Sequence, residues 1–430
     1  MIRRIAARAA LALAAGTILL GGCASPGPVE SRPSPSLPPP PGRPALPPVA
    51  SPQPEAPRPA PLPPATLPPQ PSLPPLALPR PAMPPALGER EGRALVAGFL
   101  PPYVKDRDGW AADIHTAFAS LRLPLTPDTI CAAVAVIEQE STFQADPAVP
   151  GLAQIVWKEI DARREKLHLP RLLVDAALLK TSPDGRSYKA RIDSLRTEKQ
   201  MNALFEDMIS ELPNGRSLLG GFNPVRTGGP MQVSVAFAEE QVREKPYPYP
   251  RRDSVRNEVF TRRGGVYFGI AILLDYPAPY SKLLYRFADF NAGRYSSRNA
   301  AFQSAVARLS GQALALDGDL LRYKDGAPAA EPSATLSALG AIGSRLGLPR
   351  EALIRDLRLE KTAAFGQTAL YARVFALADT AAGAPVPREA MPQIDLKSPK
   401  IQRKLTTGWF AERVDSRHRT CLGRNRSALP

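Results

Sequence analysis

The sequence predicts a mainly α-helical protein that follows a long proline-rich segment. From Leu87 onward, apolar residues recur at three- and four-residue steps, the period of a helix that buries one face. No pair of alternating apolar runs flanks a tight turn, so no β-hairpin is indicated. Of the 51 prolines, 27 lie between Pro26 and Pro85, and about 340 residues are left to form the folded part.

The first residues have the pattern of a bacterial lipoprotein leader. Three arginines precede an apolar run over 9–20, which is too short to span a bilayer. The Leu-Gly-Gly-Cys sequence over 20–23 resembles the lipobox, in which the leader, here 1–22, is removed and the cysteine carries the lipid. Cys23 is therefore expected to anchor the protein in a membrane. Because Ala24 is not the aspartate that retains such proteins at the inner membrane, an outer-membrane lipoprotein facing the periplasm is expected. The alternative is a plain secreted leader with a chance cysteine.

Residues 23–87 are predicted to be the lipidated cysteine and a disordered linker. Proline, alanine, serine and leucine with sparse charge cannot bury a core, and they favour extended polyproline II conformations. The segment is therefore interpreted as a tether between membrane and folded part. A set of PxxP ligands for recognition domains is the alternative.

The predicted helices follow one another along the folded part. Their ranges are 109–121, 127–141, 172–180, 198–211, 233–244, 252–275, 280–289 and 298–309. Residues 334–346 and 351–377 predict two or three more helices, with a break at Gly347 and Pro349. The tail over 385–430 is basic and is expected to be irregular, lying across the domain.

Composition excludes several classes of function. Three cysteines and three histidines without ligand spacing argue against zinc fingers, iron–sulfur clusters and a disulfide-dense scaffold, so neither a metal nor a cofactor is expected. No glycine-rich phosphate loop follows a strand-like run. The net charge of +15 suits an acidic polymer such as peptidoglycan, whose stem peptides carry carboxylates. No nucleic acid is expected as a partner, because a secreted lipoprotein does not meet it and no recognition module is present.

The most informative helix is predicted over 127–141 and carries Glu140 at its end. Thr126 is a suitable N-cap, and Pro127 occupies the first turn, which tolerates proline. Glu140 borders the apolar face, while Glu138 projects elsewhere. Partial desolvation and the negative end of the helix dipole both raise the pKa of such a carboxyl, which favours the protonated form that a general acid needs. A solvated charge at a helix end is the alternative.

Three motifs follow in order along the chain: Glu140-Ser141, then Gly-Pro-Met-Gln over 229–232, then Phe-Asn-Ala-Gly over 290–293. Together they resemble the family 1 lytic transglycosylases, which have a goose-lysozyme-like fold. The resemblance covers roughly residues 130–309. It implies a lysozyme-like catalytic domain over 88–325 with a helical insertion at about 155–228.

The remaining residues, 326–430, are then interpreted as a C-terminal helical extension followed by the basic tail. The architecture around the motifs also resembles an uncharacterised family of Gram-negative lipoproteins.

The resemblance implies a role for each motif residue. Glu140 would protonate the glycosidic oxygen between N-acetylmuramic acid and N-acetylglucosamine in peptidoglycan strands, and would then accept the proton of the muramic 6-hydroxyl, giving a 1,6-anhydro product. Ser141 would hydrogen-bond the Glu140 carboxylate or the acetamido group. Met231 and Gln232 would line the cleft. Its wall would come from the Phe-Asn pair, Phe290 and Asn291.

The motifs depart from the family pattern, and this leaves alternatives open. Gln232 follows Glu140 by about ninety residues, so the nearer Gln154 is the alternative to the Met-Gln element. One rival function is a peptidoglycan-binding or scaffold lipoprotein that kept the fold but lost turnover. Another is a hydrolysing lysozyme that positions a water with Asp146 or Asp289.

Two further features involve residues outside these motifs. With Cys23 lipidated, Cys131 and Cys421 form an even pair in an oxidising compartment, and we expect a disulfide that pins the tail behind the Glu140 helix. Two unpaired thiols are the alternative. Tyr247 and Tyr249 lie on an extended proline-rich segment, where their rings could stack on sugars or simply belong to a surface loop.

Overall fold

The computed structural model describes residues 87–251, 253–324, 327–396 and 405–424, and they form a mainly α-helical structure. The predicted leader, the lipidation site at Cys23 and nearly all of the linker lie outside these residues. Within the described residues, no helix combines the length and apolar character needed to cross a bilayer.

Eighteen α-helices are present among the described residues. They are α1 Glu89–Phe99, α2 Arg107–Leu121, α3 Pro127–Ser141, α4 Leu152–Lys166, α5 Arg171–Leu178, α6 Tyr188–Asp193, α7 Glu198–Ser210, α8 Gly215–Leu219, α9 Val235–Glu244, α10 Val255–Val259, α11 Arg262–Leu274, α12 Leu283–Ala292, α13 Ser296–Ser310, α14 Ala334–Ala341, α15 Gly343–Leu346, α16 Arg350–Leu357, α17 Ala369–Ala382 and α18 Thr407–Arg424. Two 3₁₀ turns cover Gly220–Phe222 and Ala363–Gln367.

The strands that the structure describes are short antiparallel pairs. β1 Thr227–Gly228 pairs with β2 Val233–Ser234 around the Met-Gln segment, with Gly228 opposite Val233. The other two pairs are β3 Tyr323–Lys324 with β4 Ala327–Pro328, and β5 Asp395–Leu396 with β6 Leu405–Thr406. Each strand has two residues, so the helices determine the architecture.

Apolar side chains form three clusters. The central cluster is built mainly from α1, α2, α3, α11, α12 and α18. The insertion cluster contains buried side chains from Leu152 to Val225 together with Phe260, and the C-terminal cluster contains those from Ala301 to Val386. Packing therefore does not divide the chain at residue 325, because the C-terminal cluster begins in α13 and α18 returns to the central cluster.

Helix α3 has the bounds that the sequence predicts, for the physical reasons that the sequence indicates. The Thr126 hydroxyl accepts a hydrogen bond from the Thr129 backbone, and Pro127 occupies the first position. Every residue from Ile130 to Ile137 is fully buried, since α2, α11 and α18 all pack on this helix or its neighbours. Helices α3 and α11 together form the enclosed part of the central cluster.

The predicted disulfide is confirmed. Cys131 in α3 is bonded to Cys421 in α18, and both residues are fully buried. One turn earlier in each helix, His418 Nε2 lies 3.1 Å from the Asp128 carbonyl oxygen. The two contacts advance in the same direction along both helices, so α18 runs parallel to α3.

Three predictions about the helices were wrong. Residues 252–275 do not form one helix, because the Thr261 hydroxyl caps a new helix start at Arg262. The tail is not irregular: its residues 407–424 form α18, whose apolar stripe completes the central cluster. Helices α1, α4, α6 and α8 are in none of the predicted ranges.

Candidate functional site

Glu140 lies in the last turn of α3, and its side chain is half-buried. The neighbouring Ser141 is buried, and its hydroxyl donates to the Ile137 carbonyl oxygen at 3.0 Å. The helix ends because Thr142 and Phe143 both adopt the left-handed conformation, with φ of 51° and 59°. Ser141 therefore stabilises the helix end, and its described hydrogen bond is not to Glu140 or toward an open cleft.

Glu138, two residues earlier, points to a different neighbour. Its carboxylate accepts a hydrogen bond from Arg424 at 3.2 Å, at the last described residue of α18. Burial, with the nearby Glu138 carboxylate, raises the pKa of the Tyr103 hydroxyl beside it. Glu138 thus serves the contact between α3 and α18.

Aromatic packing fixes the turn that follows Glu140. Phe143 is buried with its ring centroid 5.1 Å from that of Trp110 in α2, edge to face. The guanidinium of Arg262 lies over the Trp110 ring, 5.6 Å from its centroid. The same guanidinium forms an ion pair with Asp113. The end of α3 is thereby attached to the start of both α2 and α11.

A group of polar side chains lies next along the chain. Asp146, six residues after Glu140, accepts a hydrogen bond from the Thr197 hydroxyl at 3.0 Å. Burial raises the pKa of Asp146, and the nearby Glu198 carboxylate adds to the rise, against the opposing effects of Thr197 and Lys199. The structure thus places the carboxylates of Asp146 and Glu198 close together, in the segment that follows α3 and at the start of α7.

The Met-Gln element joins this polar group on one side and the core on the other. Gln232 Nε2 donates to Glu198 Oε2 at 3.1 Å, and Gln232 adopts a left-handed conformation with φ of 50°. Met231 is fully buried. A Cβ atom at Gly269 of α11 would lie 2.3 Å from the Met231 sulfur, so only glycine permits this contact. Helix α11 also packs on α3, which links the element to the Glu140 helix.

We use the name carboxylate surface for the hydrogen-bonded group of Asp146, Glu198 and Gln232 together with Glu140, which stands at the end of α3 six residues before Asp146. Glu198 was not recognised from the sequence. Thr197 and Gln200 form a capping box that could have located the start of α7, but no sequence signal pairs Glu198 with a glutamine 34 residues later.

The third motif does not join the carboxylate surface. Thr407, the first residue of α18, donates its hydroxyl hydrogen to Asn291 Oδ1 at 2.9 Å. Phe290 stacks on Phe410 of the same helix, with the ring centroids 6.5 Å apart. Phe290 and Asn291 therefore contact α18, and the expectation that they form a cleft wall beside Glu140 is wrong.

The geometry of α18 explains this separation. The helix has 18 residues and so is about 26 Å long. Asn291 contacts its first residue, whereas Glu138 contacts its last described residue, Arg424. Since α18 runs parallel to α3, Asn291 and Glu140 lie at opposite ends of α18, roughly 20 Å or more apart.

Asp289, considered as a water-positioning carboxylate, has a structural role. It is 1 % exposed and accepts hydrogen bonds from the backbone of Tyr295 and Ser297, each at 2.7 Å, at the start of α13. The hydroxyls of Tyr276 and Tyr280 also donate to it. Burial raises its pKa. A carboxylate enclosed in this way caps a helix and has no access to a substrate.

The remaining sequence candidates divide in the same way. Gln154 is exposed in the first turn of α4 and has no described contact with the carboxylate surface. Tyr247 donates to Glu258 at 2.8 Å and stacks on Phe268, so it packs against the domain. Burial raises the pKa of the Tyr249 hydroxyl to about 12. These contacts use the tyrosine rings within the protein. They therefore favour the surface-loop interpretation over stacking on sugars.

No three or more histidine, cysteine or acidic side chains are grouped as metal ligands among the residues that the structure describes. The carboxylate surface offers carboxyl and amide groups, which can transfer protons and form hydrogen bonds with a polar ligand.

Comparison with known proteins gives a family but no activity. The profile of a family described as protein of unknown function (DUF1615) matches residues 103–424. A relative, the uncharacterized protein YaiW of Escherichia coli (strain K12), is 53% identical over 329 residues, which cover 76% of this chain and 89% of the relative. No solved structure matches. Neither name refers to a glycan or to a reaction.

Proposed function

This chain belongs to the DUF1615 family of proteins of unknown function, and we propose that it cleaves the glycan strands of peptidoglycan with Glu140 as general acid and base. The observation that carries the proposal is the placement of Glu140. It is a half-buried carboxyl at the end of a helix that is otherwise enclosed in the central cluster. A rigid support of this kind is what a group that must stay aligned with a reacting bond requires.

The support of α3 is covalent as well as apolar. The disulfide joins Cys131, in the second turn of α3, to α18, and Arg424 holds Glu138 one half-turn before Glu140. Phe143 fixes the following turn against Trp110. Glu140 therefore sits between two fixed points, with little freedom for its backbone to move.

In the proposed reaction, the Glu140 carboxyl donates its proton to the glycosidic oxygen as the bond from that oxygen to C1 of the muramic acid breaks. The carboxylate then accepts the proton of the muramic 6-hydroxyl as its oxygen bonds to C1. The products together have the same atoms as the substrate, and no water is consumed. One carboxyl suffices for both steps, unlike in hydrolases that use a pair.

The neighbouring polar side chains suit the binding of a sugar. Gln232 offers an amide and Asp146 a carboxyl group, and both can form hydrogen bonds with a polar ligand. If Asp146 instead positioned a water molecule, the enzyme would hydrolyse the strand, and the product would have a reducing end.

A second candidate function is binding to peptidoglycan without turnover. The specific observation in its favour is that Phe290 and Asn291 contact α18, so the wall that the family resemblance implies is absent beside Glu140. Both candidates include the proposal that Cys23 anchors the protein in the outer membrane, facing the periplasm.

The test is digestion of purified sacculi by residues 24–430, with the released muropeptides separated and weighed. Anhydro-muropeptides from the wild type, lost in Glu140→Gln, support the proposal. The matched control is Glu138→Gln, the same change two residues away; its amide oxygen can still accept the hydrogen bond from Arg424, so it is expected to retain the products. Reducing-end products would make the enzyme a hydrolase. Retention on sacculi without any product would overturn cleavage and favour binding.

A further inference from the structure

The segment from the end of α4 to the residue after α5, which packs on the insertion cluster, exposes four leucines. Leu167, Leu172, Leu173 and Leu179 are 50, 79, 50 and 62 % exposed. They account for four of the eight large apolar side chains that stand out as exposed in the described residues, and they lie within 13 positions of one another. Several exposed leucines so close in sequence are a candidate interaction surface.

Packing of the fold does not require these leucines. Helix α5 attaches to the insertion cluster through Val174 and Leu178, which are four residues apart and buried. Leu172 and Leu173 lie on the same helix but project away from that contact. Helix α5 therefore has one apolar face turned inward and a second turned to solvent.

Two lysines of α4 have no ion pair among the residues that the structure describes. The carboxylates of α4 are each paired with an arginine of the same helix: Glu159 with Arg163, Asp161 with Arg164 and Glu165 with Arg164. Lys158 and Lys166 are exposed and form no ion pair with any residue that the structure describes. Arg171, at the start of α5, is 64 % exposed and reaches its acidic neighbours only at 3.7 and 3.9 Å.

We propose that this leucine surface, formed by Leu167, Leu172, Leu173 and Leu179, docks on a lipid bilayer that carries anionic headgroups. Leucines can enter the boundary between headgroups and acyl chains, while lysine and arginine remain at the level of the phosphates. A protein partner fits less well, because a stable interface takes about 800 Å² from each partner and four side chains provide much less. The inference is independent of the function proposed for Glu140.

The experiment uses residues 24–430, so that no lipid on Cys23 contributes to binding. The probe is co-sedimentation with vesicles of phosphatidylcholine, with and without phosphatidylglycerol. We expect binding to the anionic vesicles that weakens as salt is added. Leu172→Ser with Leu173→Ser should lower the partition coefficient about tenfold for each leucine. Lys166→Glu with Arg171→Glu should lower it at least about fivefold for each charge.

Two matched controls separate the surface from general effects of substitution. Ala176→Ser introduces the same residue at another exposed position of α5. Arg350→Glu reverses the charge of the exposed first residue of α16. Both should bind vesicles like the wild type, and thermal unfolding should show that every variant is folded.

The proposal is overturned if the leucine variants bind anionic vesicles as tightly as the wild type. It is also overturned if binding is equal on neutral and anionic vesicles. A dimer in solution that dissociates in the leucine variants, without any vesicle binding, would show that the surface is a protein interface and would equally overturn the proposal.

Discussion

The two ends of helix α18 differ in what they hold. At its C-terminal end, Arg424 meets the helix that carries Glu140, whose half-buried carboxyl ends an enclosed helix. At its N-terminal end, Thr407 and Phe410 meet Asn291 and Phe290, whose polar and aromatic groups are used in packing. Of the motifs that follow one another in the sequence, the first thus supplies the candidate site at Glu140. The third, with Phe290 and Asn291, supplies the packing contact between α12 and α18.

The N-terminal end of α18 continues into a network of buried charges. Asp289, just before Phe290, caps α13, and Arg298 of α13 donates to the carbonyl oxygens of Glu360 and Thr362 in the C-terminal cluster. Arg298 is 1 % exposed, and burial lowers its pKa. Order of motifs along a chain therefore does not show that their side chains meet, because short sequences such as Asn-Ala-Gly also end helices.

The largest effect is expected from the disulfide that joins α18 to α3. Replacing Cys131 and Cys421 together by alanine removes a cross-link between residues 290 positions apart, which should lower the free energy of unfolding by about 4–5 kcal/mol. Urea unfolding of the variant and of the oxidised wild type measures the difference. A loss below about 1 kcal/mol would show that α18 is held by packing alone.

The next effect is a pH dependence of the free energy of unfolding, which comes from Glu360 in the C-terminal part of the fold. Burial raises the pKa of Glu360 to about 7, although the Leu320 backbone and the Tyr323 hydroxyl donate to it and Lys361 also favours the charged form. Between pH 4.5 and 7 the folded state keeps a proton that the unfolded state loses, so stability falls as the pH rises.

The shift in the pKa of Glu360 corresponds to about 3 kcal/mol over that range. Glu360→Gln should remove this part of the pH dependence, measured as the difference between the two urea midpoints at pH 5 and pH 8. An equal change in urea midpoint between pH 5 and pH 8 in wild type and variant would contradict the assignment to Glu360. Activity on sacculi, where present, should keep its own pH profile in the variant, since Glu360 lies in the C-terminal cluster.

A smaller effect tests the contact behind Gln232. In Gly269→Ala the new Cβ would lie 2.3 Å from the Met231 sulfur, so the variant should lose about 1–3 kcal/mol through overpacking. Gly340→Ala is the control, because its Cβ meets open space in α14 and should stabilise by about 0.5–1 kcal/mol. Thermal unfolding measures both, and a neutral Gly269→Ala would show that Met231 can move aside.

The smallest effect is expected at the joint between α12 and α18. Asn291→Ala and Thr407→Val each remove the same hydrogen bond and should each cost about 1 kcal/mol of stability. The double variant should cost less than the sum of the two, as a shared contact requires. Additive losses in urea unfolding would show that the hydrogen bond contributes nothing.

Sequence reasoning succeeded where local rules govern the structure. The bounds of α3 follow from Thr126, Pro127 and an apolar run, and the disulfide follows from an even pair of cysteines in an oxidising compartment. The mainly helical fold follows from periodicity alone.

It failed where residues far apart in the chain decide the structure. The tail contains α18, whose apolar stripe is diluted by charges and becomes visible only when α3 and α12 supply its partners. The pairing of Glu198 with Gln232 crosses between two clusters, and no spacing rule encodes it. Likewise, the use of Asn291 depends on a helix more than a hundred residues later.

The measurement that tests the contrast most directly compares Glu140→Gln with Asn291→Ala for both muropeptide release from sacculi and thermal unfolding. We predict that Glu140→Gln lowers the release rate by about 10²–10⁴-fold in a protein that remains folded, because a general acid is lost. Asn291→Ala should lower Tm and keep the release rate of the folded protein. Loss of release in Asn291→Ala at an unchanged Tm, with Glu140→Gln still active, would contradict the account.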